Sequence, residues 1–254
     1  MSNASEAIFI PIQWGFKLPF KISSDDQKSI IDFVRSQGKK AGFNLAEGGY
    51  VEPWYFYSLR TITNKSEIRA KYSEKVSVTD FSFRYDEDCQ WDWVQCPITE
   101  IVKTYVDRLV PFYQNQKITR VQVALQRPQM DLPLHRDRVM GEIYADTGNE
   151  PYNPFAGRIE AKINNSQKLN RGLTVKIPIT EIPSDNGLPI LEIDGKKNVY
   201  NVEDNIFAIN EIDIRHGSMP VAHYRGVISI DGLLDFAALS KLALEPIGVK
   251  ETIR

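Results

Sequence analysis

The sequence predicts a mainly β domain with flanking helices, an antiparallel sandwich or barrel rather than a βαβ fold. From about residue 118 the chain breaks into short strand-like runs at 119–125, 173–179, 189–193, 199–202, 205–209 and 224–230. Turn chemistry separates several of them, at Ser184-Asp185-Asn186-Gly187, Asp194-Gly195 and Glu203-Asp204. Helical signals concentrate instead in the first hundred or so residues.

Taken in order, the first helix is expected over about residues 25–37. Ser24-Asp25-Asp26-Gln27 has the capping-box pattern, Ile30, Ile31, Phe33 and Val34 form one apolar face, and Gly38 supplies a stop. A second helix is expected to carry Pro97 in its first turn and to run through Ile98, Ile101, Val102, Tyr105 and Leu109. Between them lies an aromatic stretch, residues 50–57. In the first run of the β-rich part, Val121, Val123 and Leu125 alternate with Arg120 and Gln122, and Arg127-Pro128 ends it. Arg120 and Gln122 share a face, but alternation does not say whether that face is inward or solvent-exposed.

No repeat or Pro/Gly/Ser-rich linker divides the chain, so one domain over residues 1–254 is expected. Residues 1–117 would support a β core at 118–232, and 233–254 would form a C-terminal tail. The core is interrupted by a polar insertion at 141–171, thirty-one residues rich in Asn, Gly and Pro. Loops that long are usually functional or disordered. This one is expected to act as a lid, because it emerges just after the candidate metal-binding triplet described below.

Composition narrows the function classes. With 42% hydrophobic and 25% charged residues, the 254-residue chain has the make-up of a soluble globular protein. A net charge of −2 without a basic stripe argues against a nucleic-acid partner. No apolar run approaches the roughly 20 residues needed to cross a bilayer. The N-terminal stretch lacks a secretory pattern, so a cytoplasmic location is expected. Cys89 and Cys96 are read as ordinary thiols, since no further cysteine or nearby histidine completes a zinc set.

The chemistry is carried by the histidines, of which the chain has only three. His135-Arg136-Asp137 is an H-x-D triplet, and on a strand residues two apart point to one face. An imidazole and a carboxylate projected together can chelate a divalent cation. A histidine from a distant strand, His216, would complete the facial triad of a non-haem iron site and leave three positions open. Nine residues on, Arg225 opens the run 225–231, with Gly217-Ser218-Met219-Pro220 available to turn the chain between them. A guanidinium fork there suits the far carboxylate of a dicarboxylic acid bound to the metal. Taken singly, each residue has a plainer reading: a chance triplet, a satisfied core histidine, a salt-bridged arginine. Their order within a strand-rich half favours the site. His223 is two residues from Arg225 and badly placed to ligate, so it is read as pocket-lining or exposed.

The ordered set resembles the 2-oxoglutarate-dependent oxygenase superfamily, and more closely its aspartyl/asparaginyl β-hydroxylase and cis-proline hydroxylase branch. The stretches 120–125 running into 134–137, 173–180 and 216–231 carry the likeness, which spans about residues 118–232. The resemblance implies a double-stranded β-helix (jelly-roll, cupin-like) core. It implies Fe(II) on His135, Asp137 and His216, 2-oxoglutarate held by Arg225, and O2 as oxidant. The expected reaction is hydroxylation of a small-molecule substrate, an amino acid or a derivative, with release of succinate and CO2. Ser229, on the same strand face as Arg225, is a candidate for a second hydrogen bond to 2-oxoglutarate. An aspartate at 137 argues against a halogenase, which lacks that carboxylate. Where the branch carries an Arg-x-His element, this chain has Thr174-Val175-Lys176. Trp54, Tyr55, Phe56, Tyr57, Trp91 and Trp93 are candidates to line the substrate pocket, although core packing accounts for such residues more often. Rival readings are a cupin-type metalloenzyme that needs no 2-oxoglutarate, a peptidyl or protein hydroxylase of the same superfamily, and a non-enzymatic jelly-roll binding module.

Overall fold

A computed structural model describes residues 15–44, 50–72, 88–130, 132–135, 173–182, 189–211 and 214–253. Asp137, the insertion 141–171 and the turn at 184–187 lie outside the described residues. The elements in chain order are β1 (Gly15–Lys21), α1 (Ser24–Gln37), β2 (Lys39–Asn44), β3 (Tyr50–Ile62), α2 (Lys65–Tyr72), β4 (Trp91–Trp93) and α3 (Thr99–Leu109). There follow β5 (Val121–Gln126), β6 (Leu132–His135), β7 (Leu173–Thr180), β8 (Pro189–Ile193), β9 (Lys196–Asn201), β10 (Asn205–Asn210), β11 (Arg215–Ser218) and β12 (Arg225–Ile230). The chain closes with α4 (Phe236–Leu239), β13 (Glu245–Pro246) and β14 (Gly248–Ile253).

The strands form two sheets, antiparallel throughout. The larger runs β13-β1-β10-β7-β12-β5-β3-β2, with β4 paired to β3, and the smaller runs β14-β9-β8-β11-β6. From β5 to β12 the chain alternates between them: β5, β7, β10 and β12 sit side by side in the larger sheet, and β6, β8, β9 and β11 in the smaller. The β8–β9 hairpin turns at Asp194-Gly195, both with positive φ (51° and 72°), as a two-residue turn of that composition requires. Leu191, Tyr200, Phe207, Ile209 and Ile214 pack together across the gap between the sheets.

Alternation along β5, β7 and β12 explains where the core sits. Val121, Val123, Leu125, Val175, Ile177, Ile179, Ile228 and Ile230 are buried with Ile30, Ile31, Val34, Val102, Val106 and Leu109 of α1 and α3. The apolar face of the larger sheet is therefore roofed by helices. Its polar face, carrying Arg120, Gln122, Lys176, Arg225 and Ser229, turns toward the smaller sheet. All eight residues of β7 are buried, which fits a strand covered on both sides.

Several local expectations shift. The N-cap of α1 is Ser23 rather than Ser24: its Oγ accepts from Asp26 N at 3.2 Å and donates to the Asp26 carboxylate at 2.7 Å. Gly38 ends α1 in an extended conformation, φ −67° and ψ 146°, not a left-handed one. What excludes a side chain there is space, since a Cβ would lie 2.5 Å from Val34 O and 3.0 Å from Tyr55 Cβ. The second expected helix, α3, begins at Thr99, after Pro97 rather than with it. Helix α2, KSEIRAKY, has no apolar stripe to read in sequence, and among its described side chains Ile68 is the buried one. The segment 233–253 carries two strands that join the sheets. β13 pairs with β1 at the edge of the larger sheet, and β14 pairs with β9 in the smaller. Among the described residues no helix is long and apolar enough to cross a membrane, and neither Cys89 nor Cys96 is in a disulfide.

Candidate active site

A cavity of about 310 Å³ lies between the sheets, near the small end of the range for ligand pockets, roughly 300–1,000 Å³. Register lines up its walls. One row across the larger sheet is Trp54, Gln126 and Arg225, and another is Gln122, Ser229, Lys176 and Phe207. Opposite stand His216, Gly217, Ser218 and Pro189 of the smaller sheet.

His216 is buried and directly opposite His135 on the neighbouring strand, β11 against β6. The contact of His216 Nδ1 with Ile214 O at 3.3 Å suits an Nδ1–H donor, and that tautomer presents the Nε2 lone pair to the cavity. Nε2 lies 3.4 Å from the Glu211 carboxylate, which adds negative potential where a cation would sit. The His216 imidazole with a carboxylate beside it is a donor pair that suits a divalent first-row metal. The third expected ligand, Asp137, follows β6 by two residues and is outside the described residues. Among the described residues no set of three or more metal-binding side chains is complete.

Among the described residues Arg225 is the largest fully buried side chain, 1% exposed. It opens β12, at the end of the cavity where β11 finishes. Its Nε donates to Gln126 Oε1 at 3.2 Å, and Nη2 donates to Met219 O. Ser218 Oγ donates to the same Gln126 oxygen at 2.8 Å, so the guanidinium is braced from both sheets. The residue before it is fixed as well: Tyr224 N donates to Glu181 at 2.8 Å, and Arg35 of α1 stacks 4.4 Å over the Tyr224 ring. Gly226 permits this close packing, because a Cβ there would fall 2.0 Å from Ala124 O. Gly226→Ala is therefore expected to push β12 away from β5 and destabilise the fold by about 1–3 kcal/mol. Urea unfolding measures this, and an unchanged midpoint would contradict it.

Ser229 also faces the cavity, but it stands four residues beyond Arg225 on β12, roughly 13 Å along an antiparallel strand. That spacing sets the two residues at separate points along the cavity wall. Ser229 Oγ instead accepts from Lys176 Nζ at 2.7 Å, and Lys176 pairs with Glu211 at 2.7 Å. Arg120 lines the cavity too, ion-paired to Asp231 at 2.6 Å and donating to Gln122 at 3.0 Å.

Of the aromatic candidates, Trp54 and Phe56 line the cavity, while Tyr55, Tyr57 and Trp93 pack against the main core and Trp91 is not among the lining residues. Alternation along β3 divides them. His223 is buried, not exposed, and lies off the cavity lining. Lys176 and Glu211 were not read as site residues from sequence. Lys176 stands in an otherwise apolar strand run with no partner in its neighbourhood of the sequence, and Glu211 sits beyond the end of a strand, where no periodicity orients it.

No family model and no curated protein matches the chain. Among solved structures, a Pseudomonas putida prolyl-4-hydroxylase is similar at 11% identity and a TM-score of 0.48, over 92% of this chain and 100% of that one. An oxidoreductase of the 2OG-Fe(II) oxygenase family from Burkholderia pseudomallei is similar at 12% identity and a TM-score of 0.45, over 92% and 95%. Likenesses this distant leave function to be read from the site itself.

Proposed function

We propose that this protein is an Fe(II)- and 2-oxoglutarate-dependent dioxygenase that hydroxylates an unactivated C–H bond of an amino acid or amino-acid derivative. The observation that carries the reading is positional. His216 and the buried Arg225 fork line one cavity, and His135 is the position paired with His216 on the adjoining strand. The alternation of β5–β12 between two antiparallel sheets supports a double-stranded β-helix core and with it the same reading.

In this proposal His135, Asp137 and His216 would hold the metal and Arg225 the 5-carboxylate of 2-oxoglutarate. Iron(II) with 2-oxoglutarate and O2 would supply the oxidising power for C–H hydroxylation, with succinate and CO2 released. The chain's own residues do the rest. The contact to Ile214 O orients the His216 ring, and Gln126 with Met219 O aims the guanidinium. Trp54, Phe56, Phe207, Ile209 and Val227 give the cavity apolar walls that exclude water. Ser229 would meet the metal-side end of the co-substrate, or the substrate, rather than the carboxylate that Arg225 holds.

The test is succinate formation by purified protein with Fe(II), 2-oxoglutarate and a panel of amino acids, with mass spectrometry for a gain of one oxygen. Succinate that depends on both iron and 2-oxoglutarate is the expected result. Metal-dependent turnover that ignores 2-oxoglutarate would identify a cupin-type enzyme instead.

A further inference from the structure

Lys176 and Glu211 form an ion pair inside the cavity, their side chains 7% and 5% exposed. Neither has all its bonding capacity used. Lys176 Nζ contacts Ser229 Oγ and Glu211 Oε1, each at 2.7 Å. An ammonium carries three N–H groups, so one donor remains. Glu211 Oε2 is buried with no hydrogen-bond partner among the described residues. A buried carboxylate oxygen left without a donor is costly, and a buried ion pair is itself no sure source of stability. Such an arrangement calls for an explanation outside folding.

We propose that this pair is the receptor for the charged end of a free α-amino acid substrate. Glu211 Oε2 accepts from the α-ammonium, and the remaining N–H of Lys176 donates to the α-carboxylate. The four charges then alternate in sign, so the internal pair need not break when substrate enters. Blocked forms present a neutral amide at both positions and leave the buried charges unmatched, which selects the free amino acid over a peptidyl residue. Phe207, Ile209 and Val227, on the same wall of the cavity, give the side chain an apolar surface. Because Glu211 lies 3.4 Å from His216 Nε2, whatever it holds is beside the proposed metal position. Direct ligation by Glu211 is the competing role. Two features oppose it: Lys176 already occupies Oε1, and a fourth protein ligand would take a position the co-substrate needs.

The inference rests on the oxygenase reading, and its test separates the two. Protein loaded with Mn(II) and 2-oxoglutarate is titrated calorimetrically with the common L-amino acids and with their N-acetyl amides. At least one free amino acid is expected to bind about ten-fold or more tightly than its blocked form. Glu211→Gln, which keeps the shape and removes the charge, should erase that preference. Equal binding of blocked and free forms, or binding of none of the free amino acids, overturns the proposal. So does a fall in Mn(II) affinity in Glu211→Gln, which would make Glu211 a metal ligand. If the variant fails to fold, the comparison of free and blocked forms on the wild type decides alone. Failure of the wild type to bind 2-oxoglutarate with Mn(II) would remove the oxygenase reading, and the substrate proposal with it.

Discussion

Replacing Arg225 with alanine is expected to weaken 2-oxoglutarate binding by roughly 30-fold to several-thousand-fold, with metal affinity nearly unchanged. The range follows from the cost of stripping one partner from a desolvated, hydrogen-bonded charge pair, on the order of 2–5 kcal/mol. The side chain is 1% exposed and braced by Gln126 and Met219 O, so water cannot readily substitute for it. Arg225→Lys keeps the charge but loses the planar fork, and should fall between alanine and wild type. Calorimetric titration of Mn(II)-loaded protein measures the effect. Pyruvate, which has no distal carboxylate, serves as the internal control: its binding should differ far less between wild type and Arg225→Ala. Normal 2-oxoglutarate binding by the alanine variant would make Arg225 a structural residue, and the co-substrate assignment would fall with it.

Removing any of the three proposed metal ligands should have the other large effect. His135→Ala, Asp137→Ala and His216→Ala are each expected to weaken metal binding by more than about 100-fold, because loss of an outer-shell partner alone typically costs 10- to 100-fold. Turnover should vanish with the metal. His223→Ala should retain both, since His223 is buried away from the cavity. Metal titration of the four variants, with circular dichroism to confirm folding, separates these outcomes. An active His216→Ala beside a well-folded but inactive His223→Ala would exchange the two assignments.

The chain's periodicity and turn residues determined the strands themselves. The runs at 173–179, 189–193 and 205–209 match β7, β8 and β10 almost residue for residue, because alternation and turn chemistry are local properties. The order H-x-D, His, Arg likewise singled out His216 and Arg225, which line one cavity, and His135, which pairs with His216 between β6 and β11. Sequence could not decide which face of each strand turns inward, because alternation of period two reads the same in either direction. Arg120 and Gln122 stood on a face that could have met water. They line the cavity because α1 and α3 cover the opposite, apolar face of the sheet. The same ambiguity hid Lys176, a lysine in a run of β-branched residues, and Glu211, just past the end of β10. Their meeting at 2.7 Å depends on β12, β7 and β10 lying side by side, a long-range pairing that no local pattern encodes. Local chemistry thus chose the strands and the candidate ligands. Only the stacking of two sheets under two helices decided which polar residues would be sealed inside.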